Sequence, residues 1–170
     1  VRQLNLSGQS AAFASADGAW THIAGIRGLR TLVASGCGIT SVSGIGGMSL
    51  EQLNLSGNSI RSASGIAACA SITQLDITGN PLADLSPLAG MGGLTSLSAG
   101  GANVTSYSFL NSLTRLKTLV IINGGFADSH WGSLAGLSQL QQLVLESNAI
   151  SDTLPLQQLI EAGSLPALEN

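Results

Sequence analysis

The sequence contains few aromatic and few charged residues. Of its 170 residues, 4% are aromatic and 9% are charged, so the interior must be built mainly from aliphatic side chains. The six basic residues are spread along the chain, and the formal net charge is -3. Nucleic-acid binding needs clustered lysine and arginine to neutralise phosphates. We therefore expect no nucleic-acid partner.

Long apolar runs are also missing, although the mean hydropathy of +0.37 is high. Glycine, serine and threonine interrupt every apolar stretch before it reaches the roughly 18 residues that a membrane-spanning helix requires. The N-terminus shows no charged region followed by an apolar block, so no targeting signal is visible. We expect no membrane span and a cytoplasmic location.

Side chains that could carry chemistry are scarce. Two histidines, two cysteines and nine acidic residues occur, and none has the spacing of a catalytic or metal site. The adjacent Asp128, Ser129 and His130 cannot form a hydrolase triad, because a triad is built from separated segments, so they are interpreted as a solvated loop. Cys37 and Cys69 are interpreted as buried, reduced thiols. The sequence predicts a protein that is not an enzyme and uses no cofactor or metal.

A recurring spacing of aliphatic residues organises the chain. Residues 50–60 read L-x-x-L-x-L-x-x-N-x-I, and related segments lie on both sides. The steps between the second leucines are 28, 21, 22, 22, 22, 24 and 25 residues. These leucines are Leu4, Leu32, Leu53, Leu75, Leu97, Leu119, Leu143 and Leu168. A nearly constant period in this range indicates a solenoid of stacked units.

The consensus resembles the leucine-rich repeat. The return segment with Leu82, Leu85 and Leu88 is similar to the 22-residue subclass of internalins and of a nuclear phosphatase regulator. The longer first and last units are similar to ribonuclease-inhibitor repeats. The resemblance implies an α/β solenoid shaped as a horseshoe or arc, with a parallel concave β-sheet and 3₁₀ or short helical segments on the convex side.

The ends of the sequence fall inside the repeat pattern. Val1 occupies the first apolar position of a repeat, and the segment from Leu165 begins another repeat without completing it. Terminal repeats normally carry polar caps. We expect residues 1–170 to form a single solenoid of about seven full units and one partial unit. We further expect it to be a fragment, with more of its own chain at both ends.

Most predicted strands are followed by a glycine and then by a slot that often holds asparagine. These glycines are Gly8, Gly36, Gly57, Gly79 and Gly101. Glycine suits a tight turn because it has no Cβ to oppose positive φ. Asn58, Asn80 and Asn148 are predicted to bond backbone groups and to link one coil to the next. Gly124 takes the slot in a later repeat. We therefore expect the coils around residues 100–127 to be the least regular.

The first and last units have room for helices. Residues 11–26 are long enough for one. Residues 151–163 favour another, with Asp152 or Thr153 as its cap, Pro155 in its first turn and Gly163 at its end.

The outward positions of the predicted strands carry the candidate binding residues. The early strands present amides and hydroxyls, whereas the late strands become apolar. Grouped exposed aliphatic residues indicate a partner site. The alternative is that these β-branched residues are present only because they favour strands. Trp131 and Phe126 are candidates to extend this patch, with core packing the alternative for Phe126. The candidate partner-binding residues are Gln52, Asn54, Gln74, Asp76, Ser96, Ser98, Lys117, Thr118, Val120, Ile122, Gln142, Val144 and Glu146.

The resemblance implies a function in binding. We expect a non-enzymatic protein-protein interaction module that contacts its partner on the concave sheet, within a larger scaffold or regulatory protein. The alternative is an extracellular or cell-surface recognition domain of internalin-like type. Low lysine content and three Asn-x-Ser/Thr sequons, at Asn5, Asn54 and Asn103, are compatible with it.

Overall fold

The computed structural model describes residues 1–10, 16–101 and 104–168, so the sequon residue Asn103 lies outside the described residues. Within these ranges, seven strands form one parallel sheet in chain order. The strands are β1 Gln3–Asn5, β2 Thr31–Val33, β3 Gln52–Asn54, β4 Gln74–Asp76, β5 Ser96–Gly100, β6 Thr118–Ile122 and β7 Gln142–Val144. The predicted solenoid with a parallel sheet is confirmed.

Short helical segments form the return limbs. The α-helices are α1 Ala16–Ala24, α2 Ser64–Ala67 and α3 Leu154–Glu161, and the 3₁₀ helices are Ser43–Ile45, Ser86–Gly90, Ser108–Ser112 and Asp128–Leu134. Helix α1 falls within the predicted 11–26, of which residues 11–15 lie outside the described part. Among the helices of the described ranges, none has both the length and the apolar character that crossing a bilayer requires.

Helix α3 begins and ends near its predicted signals. Pro155 lies in its first turn, and Gly163 follows its end with φ +69°. Thr153 takes the N-cap position without a side-chain bond, whereas the Asp152 carboxylate accepts the Leu154 N–H at 2.8 Å. The capping function therefore belongs to Asp152.

The repeat leucines lie opposite one another across the whole sheet. Their register is continuous through Leu4, Leu32, Leu53, Leu75, Leu97, Leu119 and Leu143. The five from β2 to β6 are buried, and the two on β1 and β7 are half-buried. Burying a leucine side chain stabilises a fold by about 1.5–3 kcal/mol. The inward row of the sheet is therefore a continuous aliphatic core.

Three asparagine side chains link neighbouring coils, as predicted. The Asn58 Oδ1 accepts the N–H groups of Cys37 and Ile39 in the preceding coil, at 2.9 and 3.0 Å. Its Nδ2 donates to the carbonyl oxygens of Ala34 and Leu55, at 2.8 and 2.7 Å. The side chains of Asn80 and Asn148 likewise bond backbone groups of their own and the preceding coil. Each amide satisfies turn groups that would otherwise be buried without partners.

Both cysteines are buried and are not joined by a disulfide. Cys37 occupies the asparagine slot of its coil, and its Sγ donates to the Leu6 carbonyl oxygen at 3.0 Å. The Cys69 Sγ donates to the Ile45 carbonyl oxygen at 3.1 Å. Burial raises the pKa of the Cys69 thiol. Both side chains pack as small apolar groups in the core.

The coils around residues 100–127 depart from the others in a way the sequence did not predict. Strands β5 and β6 are longer than the rest, at five residues each, and they pair along their full length. Gly100 ends β5 with φ +135°, and a Cβ there would overlap the Ile122 carbonyl. The absent side chain allows the two backbones to approach closely. The pairing between β5 and β6 is therefore longer than between the other strands, and the turn after each of these two strands begins later.

A tyrosine fills the asparagine slot that Gly124 leaves empty. The hydroxyl of buried Tyr107 donates to the Gly124 carbonyl oxygen at 2.9 Å. A Cβ on Gly124 would lie only 2.7 Å from that hydroxyl. The Tyr107 ring packs against Phe126 and His130, with ring centroids 5.0 and 5.1 Å apart. This burial raises the pKa of Tyr107 to about 12.

Tyr107 should therefore titrate at higher pH in the folded protein than in the unfolded chain. It is the sole tyrosine of the sequence, so tyrosinate absorbance reports on it alone. Between the ordinary pKa of 10 and about 12, the unfolded chain binds fewer protons, and the free energy of unfolding falls as pH rises. In the variant Tyr107→Phe, the free energy of unfolding should fall less over this pH range, because the contribution of this tyrosine is absent. A midpoint near 10 in the folded protein would contradict the burial.

Candidate functional site

The outward side of the sheet, which we call the sheet face, consists of the first and third residues of each strand and the fifth residue of β5 and β6. These side chains alternate with the buried leucines, because successive residues of a strand point to opposite sides. On β3 and β4 the first residue is exposed and the third is half-buried. Parallel sheets are usually covered on both sides. In the part of the chain that the structure describes, the sheet face stays uncovered.

A shallow polar groove of about 260 Å³ lies on the sheet face across β2 to β5. Six of the predicted residues line it, namely Gln52, Asn54, Gln74, Asp76, Ser96 and Ser98. It also includes Thr31 and Val33 of β2, which the predicted set lacks because that set starts at β3. Because Thr31 and Val33 lie opposite Gln52 and Asn54 in the sheet, the repeat register could have added both residues to the predicted set.

Two of the groove residues are partly used by the fold itself. The Asn54 Oδ1 accepts the N–H and the hydroxyl of Ser56, at 2.9 and 2.8 Å. The Asp76 Oδ1 accepts the Thr78 N–H at 3.0 Å. These bonds form turns in which a side-chain oxygen caps the backbone two residues on. The Asn54 Nδ2 also donates to the Asp76 Oδ2 at 3.0 Å, which links β3 to β4.

The glutamines of the groove are less constrained. The Gln52 Oε1 accepts the Thr31 hydroxyl at 3.3 Å, and both side chains remain accessible. Gln74 is exposed and makes no side-chain hydrogen bond to another described residue. Amide side chains offer both donors and acceptors. These glutamines can therefore bond a partner with the loss of at most one side-chain hydrogen bond, that between Thr31 and Gln52.

The late strands carry an apolar patch beside the groove. Val120 on β6 lies opposite Val144 on β7, and Ile122 follows two residues along on the same side. All three are half-buried. Lys117 and Glu146 are exposed at the edges of this patch, and within the described residues neither forms an ion pair.

The remaining predicted residues extend the sheet face between these two regions and along β7. Thr118 is half-buried beside Ser96 of β5, and Gln142 is exposed beside Thr118. The structure therefore places the predicted set along one side of β3 to β7. Of its three charged members, Asp76 lies on β4, whereas Lys117 and Glu146 lie next to the strands.

Trp131 and Phe126 do not extend the apolar patch. Both are buried in the core, and the Trp131 Nε1 donates to the Asp152 carbonyl oxygen at 3.0 Å. Their rings meet edge to face, with centroids 5.3 Å apart. The candidate extension of the patch is therefore wrong, and the core alternative for Phe126 is correct.

The interpretation of residues 128–130 as a solvated loop is also wrong. These residues begin the 3₁₀ helix Asp128–Leu134. The His130 Nδ1 accepts the Ala127 N–H at 2.9 Å, whereas the Asp128 carboxylate accepts the N–H groups of Ser151 and Asp152. The bonds to Ser151 lower the pKa of Asp128. Asp128 and His130 therefore serve different parts of the fold and form no catalytic pair.

The repeats match a known family model. A model described as Leucine Rich repeats, in two copies, matches residues 49–90. These residues include β3 and β4 with their asparagine slots. Residues 49–90 therefore carry leucine-rich repeats, and the described chain has the leucine-rich repeat fold. Its assignment to the 22-residue subclass stays a prediction. A search of curated proteins gives no match.

Solved leucine-rich repeat structures share the fold. Internalin C2 from Listeria monocytogenes is 27% identical with a TM-score of 0.60, covering 83% of this chain and 70% of its own. The internalin inlF of the same organism is 22% identical with a TM-score of 0.53, covering 81% and 54%. The ectodomain of the plant membrane receptor kinase GASSHO1/SCHENGEN3 from Arabidopsis thaliana, in complex with CASPARIAN STRIP INTEGRITY FACTOR 2, is 19% identical with a TM-score of 0.67, covering 87% and 18%. This chain thus spans about half of inlF.

Alanine substitution should separate the groove residues that support the fold from those that do not. Asn54→Ala removes three hydrogen bonds and should lower the free energy of unfolding by about 1–2 kcal/mol. Gln52→Ala, the matched control on the same strand, should change it by less than about 0.5 kcal/mol. Urea unfolding measures both. Equal losses would contradict the structural function given to Asn54.

Proposed function

We propose that this chain is a non-enzymatic module that binds a protein partner on the sheet face, within a larger cytoplasmic scaffold or regulatory protein. The observation that carries the proposal is the uncovered side of a seven-stranded parallel sheet. Because such sheets are normally covered on both sides, a partner surface would complete the usual packing.

The composition of the sheet face supports a protein partner. It combines the polar groove over β2 to β5 with the apolar patch of Val120, Ile122 and Val144. Protein interfaces commonly pair an apolar centre with a polar, solvent-accessible rim. Strand propensity alone accounts for β-branched residues at single positions. It does not account for three accessible aliphatic side chains next to one another with Lys117 and Glu146 at their edges.

The similar structures add support of a general kind. The receptor ectodomain that shares this fold was solved in complex with CASPARIAN STRIP INTEGRITY FACTOR 2. Solenoid folds host many functions, so this likeness supports binding in general and names no partner for this chain.

The distribution of titratable groups supports a non-enzymatic function. On the sheet face and its edges, Asp76, Lys117 and Glu146 stand on or beside three different strands, and the exposed Arg30 and Glu51 pair with each other outside the groove. Enzyme active sites bring such groups into hydrogen-bond reach of one another. The described residues of the sheet face contain no such pair.

The proposed cytoplasmic location is supported by the two buried thiols, since unpaired cysteines are typical of reducing compartments. A second candidate function is cell-surface recognition of internalin-like type. The 27% identity to internalin C2 over 83% of this chain favours it. Localisation of the full-length protein separates the two, because a surface protein would be accessible to membrane-impermeant labels on intact cells.

Glutamates placed in the apolar patch should abolish partner binding. In affinity capture from native lysate, the intact protein should recover a specific partner that the double variant Val120→Glu and Ile122→Glu loses, because two buried carboxylates cost more than the contact gains. Circular dichroism first verifies that the variant is folded.

The matched control places two glutamates on exposed return-limb positions, Ala83→Glu and Thr105→Glu. It should recover the same partner as the wild type. If the sheet-face variant and the control recover identical partners, the sheet face is not the binding surface.

A further inference from the structure

The groove on the sheet face is lined by a single charged residue. Asp76 is half-buried on β4, between Asn54 of β3 and Ser98 of β5. The other lining side chains are neutral. Among the described residues the one ion pair is Arg30 with Glu51, 3.6 Å apart on the outer flank of β2 and β3. No cation of the described chain therefore neutralises the Asp76 carboxylate.

The fold does not require a negative charge at this position. Asn5 and Asn54 occupy the equivalent position on β1 and β3. The Oδ1 of Asn5 accepts the Ser7 N–H at 3.0 Å, and the Oδ1 of Asn54 accepts the Ser56 N–H at 2.9 Å. Asp76 makes the same bond to Thr78 at 3.0 Å. Since a neutral amide forms this turn in two other coils, the turn does not require the negative charge of Asp76.

Neutral acceptors lie near this charge, besides the Asn54 Nδ2 that donates to the Asp76 Oδ2 at 3.0 Å. Gln74 lies two residues before Asp76 on the same side of β4, and Gln52 lies beside Gln74 on β3. Their side-chain carbonyl oxygens and the Ser98 hydroxyl can accept further hydrogen bonds. The groove volume of about 260 Å³ lies below the roughly 300–1,000 Å³ of typical small-molecule pockets. It therefore suits one side chain of a partner better than a whole ligand.

The geometry points to an arginine side chain of the protein partner as the occupant of this groove, paired with Asp76. Arginine carries five donors in a planar fork and no acceptor, which matches one carboxylate with several neutral acceptors nearby. Lysine would satisfy the charge but fewer of the surrounding oxygens. This inference rests on the proposed function, because it assigns the chemistry of the partner at the same surface.

Peptide selection on the intact protein tests the inference. Random phage-displayed heptapeptides are selected on the wild type, and each selected peptide is synthesised with arginine and with the neutral analogue citrulline. Selected peptides should contain arginine, and citrulline should weaken binding by roughly tenfold or more. The affinity of the arginine peptide should fall as salt is added, since the contact is ionic.

Two variants isolate the carboxylate. Asp76→Asn keeps the turn acceptor and should bind arginine and citrulline peptides equally. Asp84→Asn is the matched control, because Asp84 is an exposed return-limb carboxylate that likewise accepts a backbone N–H two residues on, at 2.8 Å from Ser86. It should behave as the wild type. Equal binding of the two peptides by the wild type, or unchanged discrimination in Asp76→Asn, would overturn the inference.

A third variant separates failure of this inference from failure of the proposed function. Ser98→Tyr places a bulky ring in the groove. If peptides lose binding to Ser98→Tyr but bind Asp76→Asn as they bind the wild type, the arginine pairing is contradicted. The sheet face would then remain the binding surface. Peptides unaffected by Ser98→Tyr, or recovery of no peptide, would contradict both.

Discussion

The backbone groups that each coil leaves unpaired at its turn constrain the whole molecule. A turn inside a stack of coils is shielded from water, so its N–H and carbonyl groups need partners from the protein. Asn58, Asn80 and Asn148 supply them, and each side chain bonds its own coil and the one before it. Because these bridges hold neighbouring coils at one spacing, the strands stay in register and their alternate side chains reach the sheet face.

The constraint persists where asparagine is missing. At Gly124 the hydroxyl of Tyr107, from the preceding return limb, bonds the turn carbonyl. The surrounding rings of Phe126, His130 and Trp131 form an aromatic cluster in a core that is otherwise aliphatic. The Gly124 carbonyl also accepts the Val104 N–H at 2.8 Å. A backbone bond and the tyrosine thus together replace the asparagine, and the aromatic residues pack around them. This explains why Trp131 and Phe126 are buried and do not extend the apolar patch.

Much of the fold could be predicted because its signals are local. The L-x-x-L-x-L spacing places the strands and their inward leucines, and Gly163 after α3 marks where that helix ends. The contribution of Tyr107 could not be predicted, since it depends on which distant side chain reaches an empty slot. The extra length of β5 and β6 depends on the approach of Gly100 to Ile122, which is equally non-local.

The candidate site was predictable as a surface and less so as a set of contacts. Strand alternation selects the outward residues, and the structure places all the predicted positions on or beside the sheet face. The turns that Asn54 and Asp76 form with Ser56 and Thr78 were not predicted, and their bonds show that these side chains also serve the fold. The groove requires the actual side-chain lengths across β2 to β5, so only the structure reveals its position and its single carboxylate.

The most direct measurement of the central claim, that the sheet face is the binding surface, is site-specific photo-crosslinking in the native cell. A photoreactive amino acid at Gln74 lies on the sheet face, and one at Ala83 lies on the exposed return limb of the same coil. The account predicts a covalent protein adduct from position 74 and none from position 83. Adducts from position 83 alone would contradict it.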